Sequence, residues 1–136
     1  MGDRGNVAVY GEVGRQPVCF YTHWGGSELP TNVSHAIARR ERWSDPGYLS
    51  RIIFCQMVGA DDFEGTTSFG IYAGQTGDNE YPLLVVDCPN QCVRVLEPHN
   101  GDLPPHNVVV NKTIASATFE EVAADERVLK ALRDSI

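Results

Sequence analysis

A chain of 136 residues, 42% hydrophobic and 21% charged, has the composition of one globular domain, able to bury about two thirds of its unfolded surface. Eighteen acidic residues against eleven basic ones give a net charge of −7, which argues against duplex DNA or RNA as a partner, because phosphate binding rests on clustered Lys and Arg. No apolar run reaches the ~20 residues that cross a bilayer, and the N-terminus carries no signal-peptide core. The expectation is a cytoplasmic protein with no membrane partner and four reduced cysteines.

In chain order, "NVAVYGEV" and "PVCFYTHW" flank "GRQP" and alternate with period two, which predicts a β-hairpin. In the second strand Val18, Phe20 and Thr22 share one face, and Cys19, Tyr21 and His23 the other. Ser27 is a candidate N-cap for a helix through "TNVSHAIARRERW", where Val33, Ala36, Ile37 and Arg40 fall at helical intervals. "SDPGYLSRIIFCQMVG" predicts a core helix: Asp45 caps it, Pro46 suits its first position and Gly59 stops it. Its inward stripe reads Tyr48, Leu49, Ile52, Ile53, Gln56 and Met57.

Strands follow at "TTSFGIYAG", "YPLLVVDC" and "CVRVLEP", with turns at "QTGDNE" and "PNQ"; "LLVVD" reads as a central strand. "NVVVNKTIASA" reads as one more strand, bounded by Pro104-Pro105. Thr118 and Glu121 then form a Thr-x-x-Glu capping box, with Phe119, Val122, Ala123, Val128, Leu129 and Leu132 apolar and a break near Asp125. With no repeat and no linker, the prediction is a single α+β domain spanning residues 1–136. It has an antiparallel sheet, two helices inserted after an N-terminal hairpin, and a C-terminal helix.

The chain carries no metal box, phosphate loop or nucleophile motif, so no cofactor, metal or catalytic residue is assigned. Cys88, Cys92, His99 and His106 have a C-x3-C-x6-H-x6-H order, but the second half lies in a proline-rich loop and a simple hairpin explains the cysteine pair. Cys19 and His23 share a strand face yet stand too far apart for a thiol–imidazole pair, while Cys55 falls in the core helix. Asp61, Asp62, Glu64, Asp78 and Glu80 are best read as solvated turns, since none fits a calcium loop.

The place where function and structure compete is "YTHWGG", Tyr21 to Gly26, at a strand end and helix start. Structurally, His23 and Trp24 would plug a sheet edge. Functionally, the glycines would let a ligand approach. Arg51, between the inward positions Leu49 and Ile52, is the cation to watch, whereas Arg39, Arg40 and Arg42 with Glu41 read as a solvated face. If Arg51 and His23 meet beside Tyr21 and Trp24, they make a cation-plus-aromatic pocket suited to a base or nicotinamide ring with a phosphate.

"FYTHWGGSELP", "YLSRIIFCQM", "TSFGIY" and "GDNEYPLLVVD", in that order over roughly residues 18–95, resemble a family of short, mostly uncharacterised phage and bacterial proteins. That family carries a (Arg/Thr)-His-Trp-(Asp/Gly)-Gly stretch. The resemblance implies a phage counter-defence protein, working in the host cytoplasm, that sequesters a nucleotide-like signal without turnover. In this reading Tyr21 or Trp24 stacks, His23 and Arg51 meet negative charge, Asn79 reads a polar edge, and the "GQTGDNEY" loop is rim or lid. Exposed sheet edges would allow a homo-oligomer to complete the pocket. The alternatives are a hydrolase with His23 as base, and an acidic protein-binding module that inhibits a host protein.

Overall fold

The period-two pattern near the N-terminus folds into a hairpin. Strand β1 (Gly5–Tyr10) pairs antiparallel with β2 (Val18–Thr22), setting Val7 opposite Phe20 and Ala8 opposite Cys19. The computed structural model describes residues 2–59 and 68–136; Asp61, Asp62 and Glu64 lie outside the described residues. Two helices follow, α1 (Leu29–Ala38) and α2 (Pro46–Val58), then β3 (Phe69–Ala73), which pairs antiparallel with β2. After the short β4 (Gln75–Thr76), strands β5 (Leu83–Asp87) and β6 (Cys92–Leu96) form a second hairpin. The chain ends through β7 (Gly101–Asp102), α3 (His106–Asn111), β8 (Ala115–Thr118), α4 (Phe119–Ala124) and α5 (Val128–Asp134).

The six-stranded sheet has the order β3-β2-β1-β5-β6-β8, and β4 pairs separately with β7. Every pairing in the large sheet is antiparallel except one: β1 and β5 run parallel, with Val7 beside Leu84. The sheet is therefore mixed. Chain direction explains it, because two antiparallel steps from β1 make β3 run the same way as β1, and the chain then crosses back to the centre.

One face of the sheet is covered by helices. Val7, Val9, Phe20, Leu84, Val86 and Val93 pack there against Leu29, Val33, Ile37, Leu49, Ile53, Phe119 and Leu129. Fully buried side chains of this size contribute on the order of 2 kcal/mol each. The opposite face buries Ala8, Tyr10, Cys19, Leu83 and Val85 beneath Leu103 and Val109. Burial on both faces is why "LLVVD" reads as an unbroken apolar run. Among the described residues no helix is long and apolar enough to cross a membrane.

Local signals set the helix ends. The Asp45 side chain accepts from the Tyr48 N–H, Pro46 opens α2, and Gly59 ends it at φ 59°. The Thr118–Glu121 capping box is closed at both bonds, and Asp125 separates α4 from α5. Ser27 does not cap α1. It sits in a 3-10 turn, Gly26–Glu28, and its hydroxyl donates to Asp3 instead. Tyr48 is exposed rather than inward, and Arg40 likewise faces solvent.

"NVVVNKTIASA" is not one strand. It divides into α3 and β8, despite three consecutive valines that favour strand. Tertiary contacts override that preference: His106 bonds to Asp87, and Val109 is buried beneath the sheet.

Candidate functional site

Beyond Thr22 the chain must turn from sheet to helix, and the turn is heavily braced. Thr22 Oγ1 accepts from the Gly25 N–H at 3.0 Å, and the His23 N–H donates to the Ser68 carbonyl at 3.0 Å. Gly26 donates to the Asp3 carbonyl at 2.7 Å, and a Cβ there would stand 2.7 Å from the Tyr81 ring. Only glycine fits that approach. From the far end of the chain, Arg133 lays its guanidinium over Tyr81 at 4.2 Å and donates to the carbonyls of Gly26 (2.8 Å) and Ser27 (3.3 Å).

This frame holds Trp24 out. The ring is 57% exposed, stands edge-on to His23 with centroids 4.3 Å apart, and walls a cavity of about 170 Å³. Thr22, Glu28, Asn32, Met57 and Phe69 are also in its lining. Met57 and Phe69 offer apolar contact, Asn32 both donates and accepts, and Glu28 accepts only. Glu28 is the one charged residue among these lining residues, so the cleft favours donor groups over phosphate.

The five residues singled out from sequence do not form one pocket. Tyr21 and His23 lie on the sheet face opposite α1 and α2, and the Tyr21 hydroxyl meets His23 Nδ1 at 2.8 Å. Asn79 follows a turn that docks on that face. Asn6, opposite Tyr21 in the ladder, holds the preceding turn by bonds to Gly77 and Asp78, and Arg4 pairs with Asp78 and Glu80. Asn79 is buried; its Oδ1 accepts from the Tyr81 N–H, and its Nδ2 has no partner among the described residues. The "GQTGDNEY" segment thus docks on β1, on the face away from Arg51.

Arg51 lies on α2, six residues before Met57 and so on a different side of that helix. It borders another concavity, of about 230 Å³, with Arg39, Glu41, Arg42, Tyr48 and Cys55. The sheet and α2 both separate it from His23.

The cysteine–histidine series is dispersed as well. Cys88 joins the helix-side core, whereas Cys92 faces Asp87 from the other side of the sheet, and His99 bonds to the Asp102 carbonyl. Among the described residues no cluster of three or more His, Cys, Asp or Glu could hold a metal ion. Burial pushes the Cys19 and Cys88 thiols up to about 12, so neither is a nucleophile at neutral pH.

What sequence reasoning missed is a buried polar cluster on Asp87, which is fully buried. Its carboxylate accepts from His106 Nε2 (2.8 Å), Arg94 Nε (2.8 Å) and Asn90 N–H and Nδ2 (3.1 and 2.9 Å). Burial alone would raise this carboxyl, but the bonds from Asn90, His106 and Arg94 together hold it below the usual carboxylate range. Tyr10 packs edge-on to His106 at 5.9 Å. The cluster ties α3 and β6 to the central strand. The only sequence hint was an aspartate closing an otherwise apolar run.

Comparison with known proteins gives no matching family model, no similar curated protein and no similar solved structure.

Proposed function

We propose that this protein is a non-enzymatic binder of a small, flat, hydrogen-bonding ligand seated against Trp24. The observation that carries the reading is the contrast between the two tryptophans. Trp43 is half-buried, donates its Nε1–H to the Ile37 carbonyl and packs on Phe119. Trp24 is left open on a braced turn, at the wall of a cleft. An aromatic face held rigid at a cavity supplies stacking at low entropic cost.

In this reading Trp24 stacks on the ligand, Met57 and Phe69 receive its apolar edge, and Asn32 and Glu28 bond to its donors. A nucleobase has that shape and edge chemistry. The nucleotide-like class implied by the resemblance to short phage proteins therefore fits in its base, and a sequestering role needs no chemistry at the site. A phosphate would have to project out of the cleft, away from Glu28.

Native mass spectrometry against a library of nucleosides and nucleotides tests the proposal. Expected is a retained ligand, released unchanged on heating, and no retention by Trp24→Ala. Equal retention by the variant would remove the site, and a chemically altered ligand would move the reading to a hydrolase.

A further inference from the structure

We propose that the concavity bordered by Arg39, Arg42, Tyr48 and Arg51 is an anion site for a small phosphate-bearing ligand, separate from the Trp24 cleft. Nine arginines occur in the chain, and four of them fall between positions 39 and 51. On a protein of net charge −7, that is a local reversal of sign. Three of the four border a concavity of about 230 Å³ in which Glu41 is the only acid among the described residues.

The backbone adds an independent observation. Arg40 and Arg42 have φ of 56° and 60°, a left-handed conformation that glycine or asparagine adopts with far less strain. Arg40 follows the end of α1, where glycine is the common choice. Strain kept at a non-glycine residue points to a use for its side chain. For Arg40 the use is visible, since it pairs with Glu120 at 2.6 Å. Arg42 has no acidic partner among the described residues. Its guanidinium lies over the exposed Tyr48 ring at 4.5 Å, and both residues line the concavity.

Arg39 is offset by Glu41 at 3.2 Å, while Arg51 has no ion pair among the described residues. Two guanidinium groups without an ion pair among the described residues, one of them held over an aromatic ring, supply the forked donors with which arginine binds phosphate.

The test is calorimetric titration with inorganic pyrophosphate at low salt, on wild type, Arg51→Gln, Arg42→Gly and the distant Lys130→Gln. Saturable one-to-one binding is expected, weakened about tenfold or more by Arg51→Gln and by Arg42→Gly. Lys130→Gln, which removes the same charge elsewhere, should bind within about twofold of wild type. Arg42→Gly should melt no earlier than wild type, because glycine suits its φ; if it does melt earlier, Arg51→Gln decides alone. No saturable binding by wild type, or binding unchanged in Arg51→Gln, would overturn the proposal. So would an equal loss in Lys130→Gln, which would show bulk charge rather than a site.

Discussion

Replacing Asp87 by Asn tests whether the buried cluster holds the sheet to α3. The side chain keeps its shape and one acceptor but loses its charge, and it points an NH2 group at donors. The Asp87 side chain is 1% exposed and that of Arg94 14%, so solvent screens the pair little. Removing one partner of such a pair costs about 3–5 kcal/mol, because the remaining cation stays buried without compensation. The bond from Arg94 alone represents about 1.5–3 kcal/mol of that. We expect a loss of about 3 kcal/mol by urea denaturation, with unchanged m-value, and a melting temperature lower by on the order of 10 °C. Adding Arg94→Leu should recover part of the loss, since it removes the stranded charge. The pH dependence follows from the same bonds. Asp87 is held below its unfolded value, so its contribution is complete above about pH 4 and fades as pH falls through the lower, folded value. A variant as stable as wild type, with the same acid limb, would show that the carboxylate is not what binds α3 to the sheet.

Trp24→Ala should change stability by less than about 1 kcal/mol while ligand retention disappears, because the ring is mostly in solvent. A thiol reagent should modify one cysteine in the native protein and four in denaturant: Cys55 is exposed, whereas Cys19, Cys88 and Cys92 are buried, and burial raises all three thiols. Early labelling of a second thiol would contradict the burial of Cys19, Cys88 and Cys92. Thr118→Ala should cost about 1 kcal/mol in denaturation, as the capping box at the start of α4 is lost.

Much of this fold was legible because its signals are local. Asp45-Pro46 and Gly59 bound one helix, Thr118 and Glu121 open another, and "LLVVD" marks a strand buried on both faces. What failed depends on contacts distant in sequence. The valines of α3 read as strand until His106 meets Asp87, nineteen residues away. Ser27 looks like a cap until Asp3 claims its hydroxyl. The parallel pairing of β1 with β5 is a consequence of strand order, and no residue type encodes it. Among the site candidates, Trp24 was readable as a tryptophan at a strand end. Its neighbours Glu28, Asn32 and Met57 were not, because only the packing of α1 and α2 brings them to the cleft. Arg51 stood out in the sequence as a cation between inward positions, but strand alternation and helix phase put it and His23 on opposite sides of the sheet.

The brace around Trp24 draws on both ends of the described chain, and this gives the site a testable dependence on residues that never touch it. Asp3 takes the Ser27 hydroxyl and N–H and the Tyr81 hydroxyl, while Arg133 holds the Gly26 and Ser27 carbonyls. Arg133 is itself 3% exposed, and burial depresses its guanidinium below the usual range, so the fold keeps a charge where desolvation works against it. Arg133→Met would leave the Gly26 carbonyl with the Leu29 N–H alone, take a donor from the Ser27 carbonyl and strip Tyr81 of its cation, at a cost of about 2 kcal/mol. The turn that aims Trp24 would then relax, and ligand affinity should fall although Arg133 is not in the cleft lining. Arg133→Lys restores the charge without the forked donors, so it should recover part of the stability and little of the affinity. A methionine variant that loses stability but binds ligand as wild type does would show that Trp24 needs no bracing, and that its exposure is incidental to the turn.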